Sequence, residues 1–180
     1  MKTVSRGAAL LGLALLALPA CAMPDLVFLV RHAERASEPA GDPDLTAAGE
    51  ARAQQLAVAL ADAGLRQIIT SQFRRSQQTA AALARRAQLP TVSVAAGRGD
   101  AGAHVRAVHA VVQGQDGGAL LIVGHSNTVP AIIEALGGPA LPELCESSYQ
   151  HIFVLRPGAP ASLARLRYGE PSPASSAGCL

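Results

Sequence analysis

The sequence has no tryptophan, and its few phenylalanines and tyrosines bring the aromatic content to only 3%. Its core must therefore be aliphatic, and a hydrophobic content of 49% is too high for a disordered chain. Charge imbalance is also lacking. The formal net charge is +2, but Lys2 and Arg6 lie in a segment that reads as a targeting signal. Without them, thirteen basic side chains face thirteen acidic ones. A neutral chain leaves no electrostatic footprint for nucleic acid. Cysteine is scarce, with three in 180 residues, so no disulfide framework organises the fold. The histidines show no metal-ligand spacing: His104 and His109 are five apart and share no helical face. Neither a metal nor an organic cofactor is expected. No internal repeat is visible, and the length suits one domain with a proper core.

Residues 1–21 read as a signal peptide of lipoprotein type. Lys2 and Arg6 give a positive start, and Gly7 to Ala20 is apolar but too short to span a bilayer comfortably. The stretch ends Leu18-Pro19-Ala20-Cys21, which resembles the lipobox of bacterial lipoproteins, with Pro19 as a departure. The rival is ordinary cleavage after Ala22, since Ala20-Cys21-Ala22 has the small-x-small form. Either form predicts export, to the periplasm or to a membrane through lipid on Cys21. Cys145 and Cys179 can then pair in an oxidising compartment, and the spacing does not decide it. One domain is expected over 22–168. The tail 169–180, made largely of Pro, Ser, Ala and Gly, reads as disordered.

Leu26-Val27-Phe28-Leu29-Val30 is a short apolar run suited to a strand buried on both faces. Arg66–Thr70, Thr91–Val94 and Ala119–Val123 read as further strands. Between them lie helical patterns from Thr46, a plausible N-cap, to Gly64, from within the Ser71–Thr79 segment to Leu89-Pro90, and over about 103–113. A fourth helix follows Thr128, which can cap it, with Pro130 tolerated in its first turn. His151 to Leu155 and Ser162 to Tyr168 form a hairpin at an edge. This alternation predicts a three-layer α/β/α sandwich with a mostly parallel central sheet.

Three loops leave the carboxyl ends of strands in that arrangement and share one rim. The first carries Arg31-His32, the second Ser71 and Arg75, the third Gly124-His125-Ser126-Asn127. Two arginines and two histidines converging there suit a phosphoryl group. Arginine bonds phosphate oxygens bidentately and stays charged. A neutral imidazole can attack phosphorus, and water can then hydrolyse the phosphohistidine.

Arg31-His32-Ala33-Glu34 resembles the Arg-His-Gly signature of the histidine phosphatase superfamily, which includes the cofactor-dependent phosphoglycerate mutases. Leu45-Thr46-Ala47-Ala48-Gly49, the Ser71 to Thr79 segment and Gly124-His125-Ser126 resemble its later landmarks, in family order. The resemblance spans about Asp25 to Gly137 and implies a phosphoglycerate mutase-like fold. It also implies that His32 is the nucleophile and that Arg31, Arg75 and His125 hold the phosphoryl group. Asn127 and Glu34 are further substrate-contact candidates. The implied activity is hydrolysis of a phosphomonoester or related compound, small or protein-borne. The rivals are a mutase-type phosphotransferase and a non-enzymatic anion-binding lipoprotein.

An alkoxide leaving group needs a proton. Asp100, in the loop after the third strand, is the leading general acid, and N-cap of the next helix is its other reading. Glu34 is the reserve. If neither serves, good leaving groups, including phosphohistidine and phosphoanhydrides, are favoured. Glu146 and Tyr149 are placed at the pocket border without further support, and His104, His109 and His151 carry no assigned role.

Overall fold

The computed structural model describes residues 23–97, 99–173 and 178–180. The targeting segment, with Lys2, Arg6 and Cys21, lies outside them. Among the described residues no helix is long and apolar enough to cross a membrane.

Six strands form one sheet: β1 (Leu26–Arg31), β2 (Leu65–Ser71), β3 (Thr91–Val94), β4 (Ala119–Gly124), β5 (His151–Arg156) and β6 (Ser162–Arg167), in the order β3-β2-β4-β1-β5-β6. The first four are mutually parallel, and the β5–β6 hairpin is antiparallel, as expected for an added edge. The four helices are α1 (Ala47–Ala59), α2 (Arg74–Ala87), α3 (Ala101–Gln113) and α4 (Thr128–Ala135). The fold class is the one expected, an α/β protein with a mostly parallel sheet.

The continuous apolar run of β1 is explained by its two covered faces. Val27 and Leu29 enter one core with Ile122 of β4, Val108 of α3 and Ile132 of α4. Phe28 and Val30 enter the other with Leu121, Leu56 of α1 and Leu83 of α2. Alternate side chains of one strand thus feed opposite layers. Leu29, Leu56, Leu83 and Ile132 are wholly buried, each contributing roughly 1.5–3 kcal/mol from removal of apolar surface from water. The scarcity of large aromatics is made good by interlocked Leu, Ile and Val.

Local signals set the helix starts. Thr46 caps α1 by accepting from the N–H of Gly49 at 3.1 Å. Gly49 has to be glycine, because a methyl there would run into the Glu34 carbonyl oxygen. Thr128 departs from its expected role. It is the first residue of α4, and its hydroxyl accepts from the His125 N–H at 2.9 Å. The hydroxyl therefore tightens the turn behind β4 instead of capping the helix.

The tail also corrects its expectation over the residues described. Arg52 donates to Glu170 O at 2.9 Å, and Tyr149 N–H donates to the Ser172 hydroxyl at 2.8 Å. Cys145 and Cys179 form a disulfide. Cys145 N–H donates to Leu180 O at 2.7 Å, and Leu180 N–H donates to Glu143 O at 3.0 Å. Composition alone suggests disorder there, but a covalent staple, main-chain bonds and the packing of Leu180 against the core hold the described residues.

Candidate active site

The strand ends meet as the topology requires. β1 and β4 are parallel neighbours with Arg31 beside Gly124. The next step along each chain brings His32 next to His125, with ring centroids 5.3 Å apart. The His32 N–H extends the ladder to Gly124 O at 2.9 Å. β2 flanks β4 on its other side and ends in Ser71, whose hydroxyl lies 3.0 Å from His125 Nε2. α2 then starts and places Arg75 on the same rim. Arg31, His32, His125 and Arg75 line a cavity of about 430 Å³, together with Arg35, Asn127 and Glu146.

A main-chain contact fixes the tautomer of His32. Nδ1 lies 2.8 Å from the Ala33 carbonyl oxygen, which can only accept, so Nδ1 carries the proton and Nε2 keeps its lone pair. Burial, aided by the charges of Arg31, His125 and Arg75, pushes the His32 pKa down to about 2 against the pull of the Ala33 carbonyl. His125 is pushed down to about 4, by burial first and then by Arg75, His104 and Arg31. Both rings are therefore neutral at physiological pH. Ala33 is wholly buried, with its N–H donating to Thr79 Oγ1 at 2.9 Å, and Thr79 in turn donates to Arg75 O at 2.7 Å. Thr79 thus ties the first turns of α2 to the loop that aims His32.

Arg31 is 2% exposed. One terminal nitrogen donates to Cys145 O at 2.7 Å, Glu146 O at 2.8 Å and, at 3.4 Å, Ser148 O. The other terminal nitrogen meets Glu146 Oε2 at 2.7 Å, and the guanidinium lies 4.3 Å from the Tyr149 ring centroid. Arg75 lies over the Phe73 ring at 4.2 Å and has only long polar contacts, 3.4 Å to Gly41 O and 3.8 Å to Asp42. The Nε of each arginine is buried without a partner.

The acid candidates are placed elsewhere. Asp100 Oδ1 accepts from the Ala103 N–H at 2.8 Å as the N-cap of α3, and Asp100 is not among the cavity-lining residues. Glu34 also lies outside that lining. Both its oxygens accept from Arg52 Nε at 2.9 Å, which corrects its reading as a substrate contact or reserve acid. The site contains residues to which the sequence reading gave no role or no firm place: Arg35, His104, Phe73 and, above all, Glu146. Glu146 belongs to no strand-end motif, so only its position after the Cys in Leu144-Cys145-Glu146 hinted at order. Among the described residues no cluster of three His, Cys, Asp or Glu side chains is arranged to hold a metal ion.

Neutral imidazoles beside two arginines are a combination that can, chemically, carry nucleophilic attack on a phosphoryl anion. No curated protein sequence matches the chain. Among solved structures, SixA of Agrobacterium tumefaciens, a candidate phosphohistidine phosphatase, is 22% identical with a TM-score of 0.58, over 83% of this chain and all of that one. A protein histidine phosphatase SixA complexed with tungstate is 19% identical with a TM-score of 0.58, over 79% and 96%. A mycobacterial glucosyl-3-phosphoglycerate phosphatase is 16% identical with a TM-score of 0.55, over 73% and 89%. These neighbours share the fold. The sequence match is narrower and more specific: through residues 27–96, the segment with His32 and Arg75, the chain matches the histidine phosphatase superfamily, branch 1.

Proposed function

We propose that this chain is a phosphatase that hydrolyses phosphomonoesters or related phosphoryl compounds through a phosphohistidine at His32. The observation that carries this reading is the fixed tautomer of His32: a carbonyl holds Nδ1–H, and the lone pair of Nε2 is left for phosphorus. In the first step Nε2 attacks, the P–N bond forms, and the leaving group departs with its electron pair. In the second step water displaces His32 and releases phosphate. Arg31, Arg35 and Arg75 stand against one carboxylate, Glu146, in the cavity lining. That excess of positive charge suits a phosphoryl dianion and the charge that spreads over its oxygens in both steps. Asn127 lines the same cavity and is a further contact for substrate.

Protein-borne phosphohistidine is the substrate we favour within that class, because two of the fold neighbours are SixA proteins and neither nominated carboxylic acid is in the cavity lining. We further propose that the chain works outside the cytoplasm, with Cys21 as its lipid anchor. The Cys145–Cys179 disulfide supports an oxidising compartment. The test is phosphate release by the mature protein from p-nitrophenyl phosphate and from phosphohistidine peptides. The wild type should turn both over, and His32→Ala should abolish release and lose an acid-labile phosphoenzyme. Turnover that survives His32→Ala would overturn the reading. Fractionation of wild type and Cys21→Ala from the native host checks the anchor.

A further inference from the structure

With Asp100 capping α3 and Glu34 held by Arg52, the reaction still needs a group that takes a proton from water. Among the described residues Glu146 is the only carboxylate lining the cavity. It comes from the connection between α4 and β5, not from the loops that carry the histidines. Its two oxygens are held separately. Oε1 accepts from the Ser126 hydroxyl at 2.6 Å, and Oε2 accepts from Arg31 at 2.7 Å. Ser126 follows His125 and Arg31 precedes His32, so both holders are chain neighbours of the two imidazoles. Yet the Glu146 side chain is 73% exposed, against 2% for Arg31. The carboxylate is thus fixed at the mouth, facing the cavity on one side and bulk water on the other. Burial pushes its pKa up, but the Ser126 hydroxyl and the Arg31 guanidinium outweigh burial and hold it below the ordinary carboxylate value. A group kept ionised at neutral pH is suited to accept a proton, not to donate one.

Building on the phosphatase reading, we propose that Glu146 is the general base of the second half-reaction. A water oxygen attacks the phosphorus of phosphorylated His32. The O–P bond forms as the P–Nε2 bond breaks, and its electron pair returns to His32 as neutral imidazole. The proton of the water passes to the Glu146 carboxylate and from there to solvent. The first half-reaction receives no carboxylic acid from Glu146. Leaving groups that depart without prior protonation, such as phenols and anhydride phosphates, are therefore favoured over alkyl alcohols.

The test is rapid-quench kinetics on full-length mature protein with p-nitrophenyl phosphate. Glu146→Gln keeps the shape and an oxygen to accept from Ser126 or Arg31, but it cannot act as the base. It should show a burst of about one p-nitrophenol per enzyme, lose about 10²-fold in kcat, and accumulate more acid-labile phosphoenzyme in the steady state than the wild type. Glu146→Asp should recover part of kcat and shorten the phosphoenzyme lifetime. Loss of burst and turnover together in both variants would overturn the proposal, because it would show that Glu146 only positions Arg31. Unchanged kcat would overturn it as well. Absence of phosphoenzyme in every form, with turnover surviving in His32→Ala, would instead overturn the phosphatase reading on which the proposal rests.

Discussion

Arg31 and Arg75 line one cavity, carry the same charge and would receive the same role from any motif. The protein nonetheless treats them differently. Arg31 is buried at the end of β1, and its terminal nitrogens are committed to three carbonyls of residues 145–148 and to the Glu146 carboxylate. Arg75 rests on Phe73 at the start of α2 and has only contacts of 3.4 and 3.8 Å to Gly41 and Asp42. Arg31 therefore holds the protein together around the site while lending its charge. Arg75 keeps its donors available to a bound anion. The segment that Arg31 grips is itself stapled to the end of the chain by Cys145–Cys179. The β1 terminus, the 145–148 segment and residues 178–180 form one connected unit, whereas Arg75 stands on α2, which Thr79 links to the residue after His32.

The sharpest way to break this comparison is to truncate both side chains. Arg31→Ala removes the donors from three carbonyls and leaves the Glu146 carboxylate without its arginine. A buried carbonyl left without its donor costs about 1–3 kcal/mol, while the largely exposed Glu146 carboxylate loses little, so urea unfolding should show a loss of about 3 kcal/mol, with activity lost as well. Arg75→Ala should lower stability by about 1 kcal/mol or less, yet cost about 10²–10³-fold in kcat/KM, the usual effect of losing a donor to developing charge. Equal stability losses in the two variants would erase the distinction.

A second measurement sharpens it through the histidines. Burial is the main reason that both imidazoles have low pKa values, but the first charge acting on His32 is Arg31 and the first on His125 is Arg75. Arg75→Gln should therefore raise the His125 pKa more than that of His32 in an NMR titration. Stability follows with a definite sign. The folded pKa values, about 2 for His32 and about 4 for His125, lie below the ordinary imidazole value of 6.5. Below pH 6.5 the unfolded chain binds more protons than the folded one. Stability is thus full above that pH and falls on acidification by about 1.4 kcal/mol per pH unit for each histidine. The His125 share ends near pH 4 and the His32 share near pH 2. Unfolding midpoints measured from pH 7 to 4.5 should fall, and a flat profile would contradict the buried, neutral pair.

The same division between local and distant partners explains what could be read from the sequence. β1 and β4 are apolar runs that end in Arg31-His32 and Gly124-His125, and parallel pairing alone brings those ends together. The layers, the histidine pair and Arg75 follow from local pattern and topology. Glu146 follows from neither. It reaches Arg31 across 115 positions in sequence, and an irregular connection has no period from which its direction could be inferred. Glu34 misled for the opposite reason. It stands two residues after His32, but its chain leaves the rim there and its carboxylate turns to Arg52 on α1. The order at the end of the chain was hidden as well, because a disulfide and main-chain bonds leave no hydrophobic pattern.

The smallest expected effect extends the comparison from arginines to carboxylates. Asp100 and Glu146 both lie near the cavity in sequence or space, but Asp100 is directed at the protein and Glu146 at the site. Asp100 Oδ1 accepts the Ala103 N–H, one of the donors that the first turn of α3 leaves unsatisfied. Asp100→Ala should therefore cost about 1 kcal/mol of stability, the ordinary effect of removing an N-cap, while Asp100→Asn keeps an acceptor oxygen and should cost less. Neither should alter kcat on p-nitrophenyl phosphate, nor the ratio of rates on alkyl and aryl phosphates. A proton donor would behave otherwise. Its loss would leave the aryl ester nearly unaffected and slow the alkyl ester, whose alkoxide leaves poorly without a proton. A selective loss on the alkyl substrate in Asp100→Asn would put Asp100 back in the chemistry and remove the contrast with Glu146.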